Sequence, residues 1–163
     1  MGERVPRELE TDARKRDQGT SDKGSQRGCG LYKPLEFEVS HMKDKITITI
    51  PGSLPDLNTI IDAAKRNKYE YTRLKQVNTD IVAWPAKHLP KMKRVYLSIT
   101  WYCKDKMKDP DNIAAAVKFI WDGLKEGGII DNDGWKQNAG WENHFKVDKE
   151  NPRVEIEIRS VEE

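Results

Sequence analysis

Residues 46–50, Ile-Thr-Ile-Thr-Ile, alternate apolar β-branched side chains with threonine, the period of a half-buried strand. Pro51-Gly-Ser-Leu-Pro-Asp-Leu-Asn58 then supplies turn residues. From 58 to about 83, Ile60, Ile61, Ala64, Tyr71, Leu74, Val77 and Ile81 recur at helical intervals with basic residues between them, which predicts a long amphipathic helix with room for one break. Residues 94–103, RVYLSITWYC, are β-branched and aromatic and predict a second strand. Residues 111–126 predict a helix stopped by Gly127-Gly128, followed by the turn Asp131-Asn-Asp-Gly134 and a closing pair of strands over 135–147 and 153–159. The order β-α-β-α-β-β predicts an α+β fold with two helices packed on a mainly antiparallel sheet. No internal repeat is visible.

Residues 1–41 have no such period. They are polar, rich in Gly, Ser and charge, and hold too little apolar surface to offset the entropy of ordering. Ser40-His41-Met42 reads as an engineered junction with Met42 as the native start, so residues 1–41 are expected to be a disordered or added tail and 42–163 the folded domain. The 163 residues suit one modest domain plus that tail. No run approaches the eighteen or so apolar residues of a spanning helix, and no signal-peptide core is present. Cys29 and Cys103 lack CxxC spacing, so reduced thiols in a cytoplasmic compartment are expected.

The candidate chemistry lies around the helix at 111–126. Asp109 and Asp111 flank Pro110 at its start. At 100° per residue from Asp111, Ile113, Val117, Ile120 and Leu124 fall between about 180° and 240°, an apolar stripe for the sheet. Lys118 and Asp122 lie within about 20° of Asp111 on the opposite side, so these three side chains can face one site. Asp111 or Asn112 could equally be an ordinary N-cap, and Asp131-Asn-Asp133-Gly134 an ordinary tight turn. Two aspartate-rich segments bracketing one helix nevertheless suit Mg²⁺ or Mn²⁺, which take a few carboxylates, waters and substrate phosphate. Asp109, Asp111 and Asp133 would be the ligands. His41, His88 and His144 are scattered, which argues against catalytic zinc.

The formal net charge of +2 says little, but its distribution is uneven. Between 87 and 108 lie Lys87, Lys91, Lys93, Arg94, Lys104, Lys106 and Lys108 against Asp105 alone; Lys65, Arg66, Lys68, Arg73 and Lys75 form an earlier group. Alone, either group is a solvated surface. Beside a carboxylate cluster they suit a protein that cuts a polyanion, holding phosphates while the acids hold a cation.

DPDN at 109–112, Lys118 four residues before Asp122-Gly-Leu, and GGIIDNDG at 127–134 together resemble the RusA family of Holliday-junction resolvases, common in phages and prophages. The resemblance extends over 45–159, with Pro55 and Asn58 echoing an N-terminal proline-asparagine feature. It implies a homodimeric Mg²⁺-dependent endonuclease that binds four-way DNA junctions and cuts two strands symmetrically. It carries the catalytic roles to Asp109, Asp111, Asp133 and Lys118. The family lysine stands nearer its DxDN motif, so this helix is longer by about one turn, and alignment back from Asp122 gives Lys118. Asp131, Asp122 and Asn112 are accessory candidates, with Asp122 placed to orient Lys118 through an i,i+4 contact.

Other readings stay open at this point. A PD-(D/E)xK nuclease needs an acid two residues before a lysine, and no [DE]-x-K occurs. An EF-hand-like calcium site at DNDG lacks the remaining loop ligands. A junction-binding accessory module without catalysis, or a nuclease for other branched DNA, is the alternative. The five tryptophans are many for so short a domain; core packing explains most, leaving one or two for an interface or for stacking on DNA.

Overall fold

The computed structural model describes residues 37–42 and 45–161. Its elements are β1 (Glu38–Met42), β2 (Lys45–Pro51), α1 (Leu57–Arg66), α2 (Lys68–Ala86), β3 (Val95–Cys103), α3 (Pro110–Ala114), α4 (Val117–Glu126), β4 (Asn138–Val147) and β5 (Arg153–Ser160). The sheet order is β1-β2-β5-β3-β4, antiparallel except for the β3–β4 pair. This is the α+β fold with a mainly antiparallel sheet that the hydrophobic pattern predicts.

Alternation does what it implies. Ile46, Ile48 and Ile50 of β2, Val95, Leu97, Ile99 and Trp101 of β3, and Val154, Ile156 and Ile158 of β5 are all buried on one face. The helices cover that face, and the core cluster joins these strands to α2 and α4. Each such side chain contributes on the order of 1.5–3 kcal/mol of hydrophobic stabilisation.

Four details differ from the pattern-based expectation. Residues 38–41, assigned above to the tail, belong to β1, which pairs with β2 from Glu38↔Thr49 to Met42↔Lys45. Residues 1–36 lie outside the described residues. The long helix takes the one break the sequence left room for, because Asn67 is extended (φ −173°, ψ 167°) and its side-chain oxygen accepts from the Glu70 N–H to start α2. The buried face of α2 is Asn78, Thr79, Val82, Ala83, Pro85 and Ala86, whereas Val77, expected to be apolar core, is 49% exposed.

The helix expected over 111–126 breaks at Ala115–Ala116 into α3 and α4. The last two strands are consecutive but do not pair with each other: β5 inserts between β2 and β3, while β4 lies parallel to β3 at the sheet edge. Local periodicity identifies strands but carries no information on which partner a strand meets, so this pairing was not legible.

α4 is held by shape as well as by its stripe. Val117, Ile120 and Leu124 are buried as expected, and so are Phe119, Trp121 and Gly123. A methyl group on Gly123 would stand 2.4 Å from the Val82 Cβ, and one on Gly127 would stand 2.5 Å from the Ala86 Cβ. These glycines therefore let α2 and α4 approach closely. Gly128, at φ +83°, ends the helix with a Schellman pattern: its N–H donates to the Lys125 carbonyl and the Ile129 N–H to that of Leu124, both at 3.0 Å.

Candidate active site

Position along α4 decides which charges meet. Lys118 projects from the side opposite the core, and its Nζ donates to Asp122 Oδ1 at 2.7 Å, one turn further on. The same ammonium reaches Asp133 Oδ2 at 3.2 Å. Lys125 Nζ lies 3.9 Å from the other Asp133 oxygen, so Asp133 sits beside the middle of α4 between two lysines. From α2, Lys75 Nζ comes within 3.2 Å of Asp122 Oδ2, close enough to pair as ions although that oxygen makes no hydrogen bond. Three ammonium groups thus face two carboxylates, an alternating chain with one positive charge in excess.

The energetics follow from these contacts. The Asp122 hydrogen bond, helped by Asp133 and opposed by partial burial, raises the Lys118 pKa above its usual value. Lys118, with a smaller coulombic effect of Lys125, lowers that of Asp133. Both shifts favour the charged forms of Lys118 and Asp133 at neutral pH. The turn fixes Asp133 locally: its N–H donates to Asn132 Oδ1 at 3.0 Å, and the Gly134 carbonyl accepts from Gln137 and Asn138.

Asp109 and Asp111 stand at the start of α3. Asp109 occupies the N-cap position with extended backbone (φ −70°, ψ 143°) but makes no side-chain cap hydrogen bond; Pro110 opens the helix. Asp111 is in the first turn, and both aspartates are exposed. Neither takes part in a salt bridge among the described residues. The N-cap position thus falls to Asp109 and not to Asp111 or Asn112, the two residues the sequence offered for it.

The set Asp109, Asp111 and Asp133 has the hard oxygen donors that a Mg²⁺ ion takes. Among the described residues, however, no three Asp, Glu, His or Cys side chains are grouped so that they could hold an ion. One ion shared by all three would therefore require these side chains to rearrange, with Asp133 leaving Lys118 and Lys125. Of the accessory candidates, Asp122 does orient Lys118, as the i,i+4 spacing suggests. Asp131 is instead paired with Lys91 at 2.6 Å, and Asn112 is partly exposed beside Asp111.

The basic run from 87 to 108 is contiguous in sequence but divided in space by β3. Lys91, Lys93 and Arg94 line a groove of about 730 Å³ with Lys136, Asp131 and Gln137, before the strand starts. Lys104, Lys106 and Lys108 follow its end, roughly 30 Å away for nine extended residues. Lys104 and Lys108 line a second cavity of about 390 Å³ with Trp101, Tyr102 and Arg153. Lys87 lies 5.7 Å from the Trp84 ring centroid.

Lys65 and Arg66 fall in the last turn of α1, where they also balance the helix dipole, and Lys68 begins α2. Asn58 is an exposed residue near the start of α1. Of the tryptophans, Trp101 and Trp121 are core, whereas Trp135, two residues after Asp133, is 97% exposed.

One functional candidate was not singled out from the sequence. Asp56, 7% exposed, caps α1 by accepting from the Thr59 N–H and hydroxyl at 2.8 Å, and its second oxygen pairs with Lys108 at 2.5 Å. The Lys108 hydrogen bond and the Thr59 backbone bond bring its pKa down to about 2. Asp56 therefore ties α1 to the segment leading into Asp109. The Asp-x-x-Thr spacing signals the cap; the lysine, fifty-two positions away, gives no local signal.

The profile of the family described as endodeoxyribonuclease RusA matches residues 55–159. The chain belongs to the RusA endodeoxyribonuclease family. The matched span runs from Pro55, just before the α1 cap, to Arg159 near the end of β5, and so contains Asp109, Asp111, Lys118, Asp122 and Asp133. No curated protein matches the chain. Among solved structures, the periplasmic domain of Helicobacter pylori MotB is similar at 15% identity with a TM-score of 0.43, covering 81% of this chain and 84% of that one. No helix among the described residues is long and apolar enough to cross a membrane.

Proposed function

We propose that this RusA-family chain is a Mg²⁺-dependent, structure-specific endonuclease that resolves four-way DNA junctions as a homodimer. The observation that carries the reading is the charge order around α4, with Lys118 held by Asp122 and Asp133, inside the span that matches the endodeoxyribonuclease family. Asp109, Asp111 and Asp133 would hold the metal, Mn²⁺ being a possible substitute. When bound, such an ion supplies an activated water and neutralises charge on the scissile phosphate.

The chain's own residues do the rest. Asp122 fixes Lys118 so that a permanent positive charge stands beside the phosphate as negative charge gathers there. While no substrate is bound, Lys118 and Lys125 balance Asp133. Lys91, Lys93, Arg94 and Lys136 at one end of β3, and Lys104 and Lys106 at the other, would hold separate stretches of phosphate backbone, a layout suited to a branched rather than a short linear substrate. Two twofold-related copies would present two sites to two strands.

A synthetic four-way junction, a fork and a linear duplex, each incubated with Mg²⁺ and with EDTA, test this. Metal-dependent cutting of the four-way substrate in preference to duplex is expected. Binding without cutting under any divalent metal would favour the accessory-module reading, and equal cutting of forks would favour a general branched-DNA nuclease.

A further inference from the structure

We infer that β4 is the dimer interface, pairing antiparallel with β4 of a second copy about a twofold axis at His144. The inference rests on the dimer named in the proposed function and adds where its two copies join.

β4 is ten residues long and hydrogen-bonds only to β3, so among the described residues its other edge is open. An open edge offers a row of unpaired N–H and C=O groups to another strand. What fills that edge is indicated by its side chains. On the helix-covered face, Trp141, Phe145 and Val147 remain 46%, 38% and 50% exposed, although Trp141 packs edge-on against buried Trp121 with ring centroids 6.2 Å apart. The core therefore runs out to this edge without being closed there.

The charges set the register. Antiparallel pairing about His144 places Glu142 of each copy opposite Lys146 of the other, twice per dimer, on the polar face. On the apolar face the same register sets Trp141 against Val147 and Asn143 against Phe145. Aromatic with β-branched and acid with base are both favourable cross-strand pairs. A shift of the axis by one residue in either direction removes the Glu142–Lys146 opposition. The strand is thus self-complementary in one register.

Two measurements test the placement, neither reading DNA cutting. In the full chain carrying Cys29→Ser and Cys103→Ser, His144→Cys should form an intermolecular disulfide in near-complete yield, since the two copies of residue 144 face each other at strand-pair distance. Glu142→Cys alone should not, but should crosslink to a Lys146→Cys chain. By sedimentation, E142K and K146E should each weaken self-association about tenfold, and the E142K/K146E double variant should restore it.

A dimer that persists with unchanged affinity in every charge variant, and does not crosslink through residue 144, would overturn the inference. It would leave the dimer itself standing, built on another surface such as the exposed apolar side chains of α1 and α2. A chain that stays monomeric at all concentrations, junction DNA included, would overturn both.

Discussion

Asp111 and Lys118 carry different burdens, and their substitutions should separate. Asp111 pairs with no base among the described salt bridges, so Asp111→Asn changes little in the fold. Its expected outcome is a junction affinity near that of the parent, by gel shift, with cutting abolished. Lys118→Met removes the positive charge between Asp122 and Asp133 and should slow single-turnover cutting on the order of 10²-fold. Unchanged rates in either variant would remove that residue from the chemistry. Asp56 and Asp133, whose pKa values are lowered by Lys108 and Lys118, bind fewer protons folded than unfolded. Their stabilisation is complete above the ordinary aspartate pKa of about 4 and fades as pH falls below it, for Asp56 down to about 2. Urea midpoints should therefore hold from pH 7 to 5 and drop below pH 4; a midpoint constant to pH 2.5 would contradict the pairing.

At the scale of elements, the packing of α2 on α4 sets where Asp122 and Lys75 meet. Gly123→Ala would force its methyl into Val82 and the Thr79 carbonyl, costing about 1–3 kcal/mol in chemical denaturation. Asp56→Ala, which loses the α1 cap and the Lys108 pair, should cost about 1–2 kcal/mol. The apolar stripe of α4 was legible because Val117, Ile120 and Leu124 repeat with the helical period, and the Lys118–Asp122 contact because it is local. The glycine face was not, since its meaning depends on Val82 and Ala86 forty positions earlier. For the same reason the sequence marked Asp133 as a turn residue and a candidate ligand, but not the two lysines that hold it. β1 escaped notice because Glu38-Val-Ser-His-Met is short and polar and becomes a strand only by pairing with β2.

For the whole molecule, the division of one basic run by β3 matters more than its net charge. On the proposed reading, Lys91 to Arg94 and, past the other end of β3, Lys104 and Lys106 would engage different arms of a branched substrate. Junction binding should therefore lose affinity additively when the two groups are neutralised in turn, with a reduced salt slope each time. The central claim is that the acids around α3 and α4 cut junction DNA with a divalent ion. Its most direct measurement is cleavage of an end-labelled four-way junction by the parent chain and by Asp111→Asn, in Mg²⁺ and in EDTA. Paired nicks at symmetry-related positions, present only for the parent chain in Mg²⁺, are the predicted result. Nicks that survive EDTA or Asp111→Asn, or a tightly bound junction left intact by the parent in Mg²⁺ and in Mn²⁺, would contradict it.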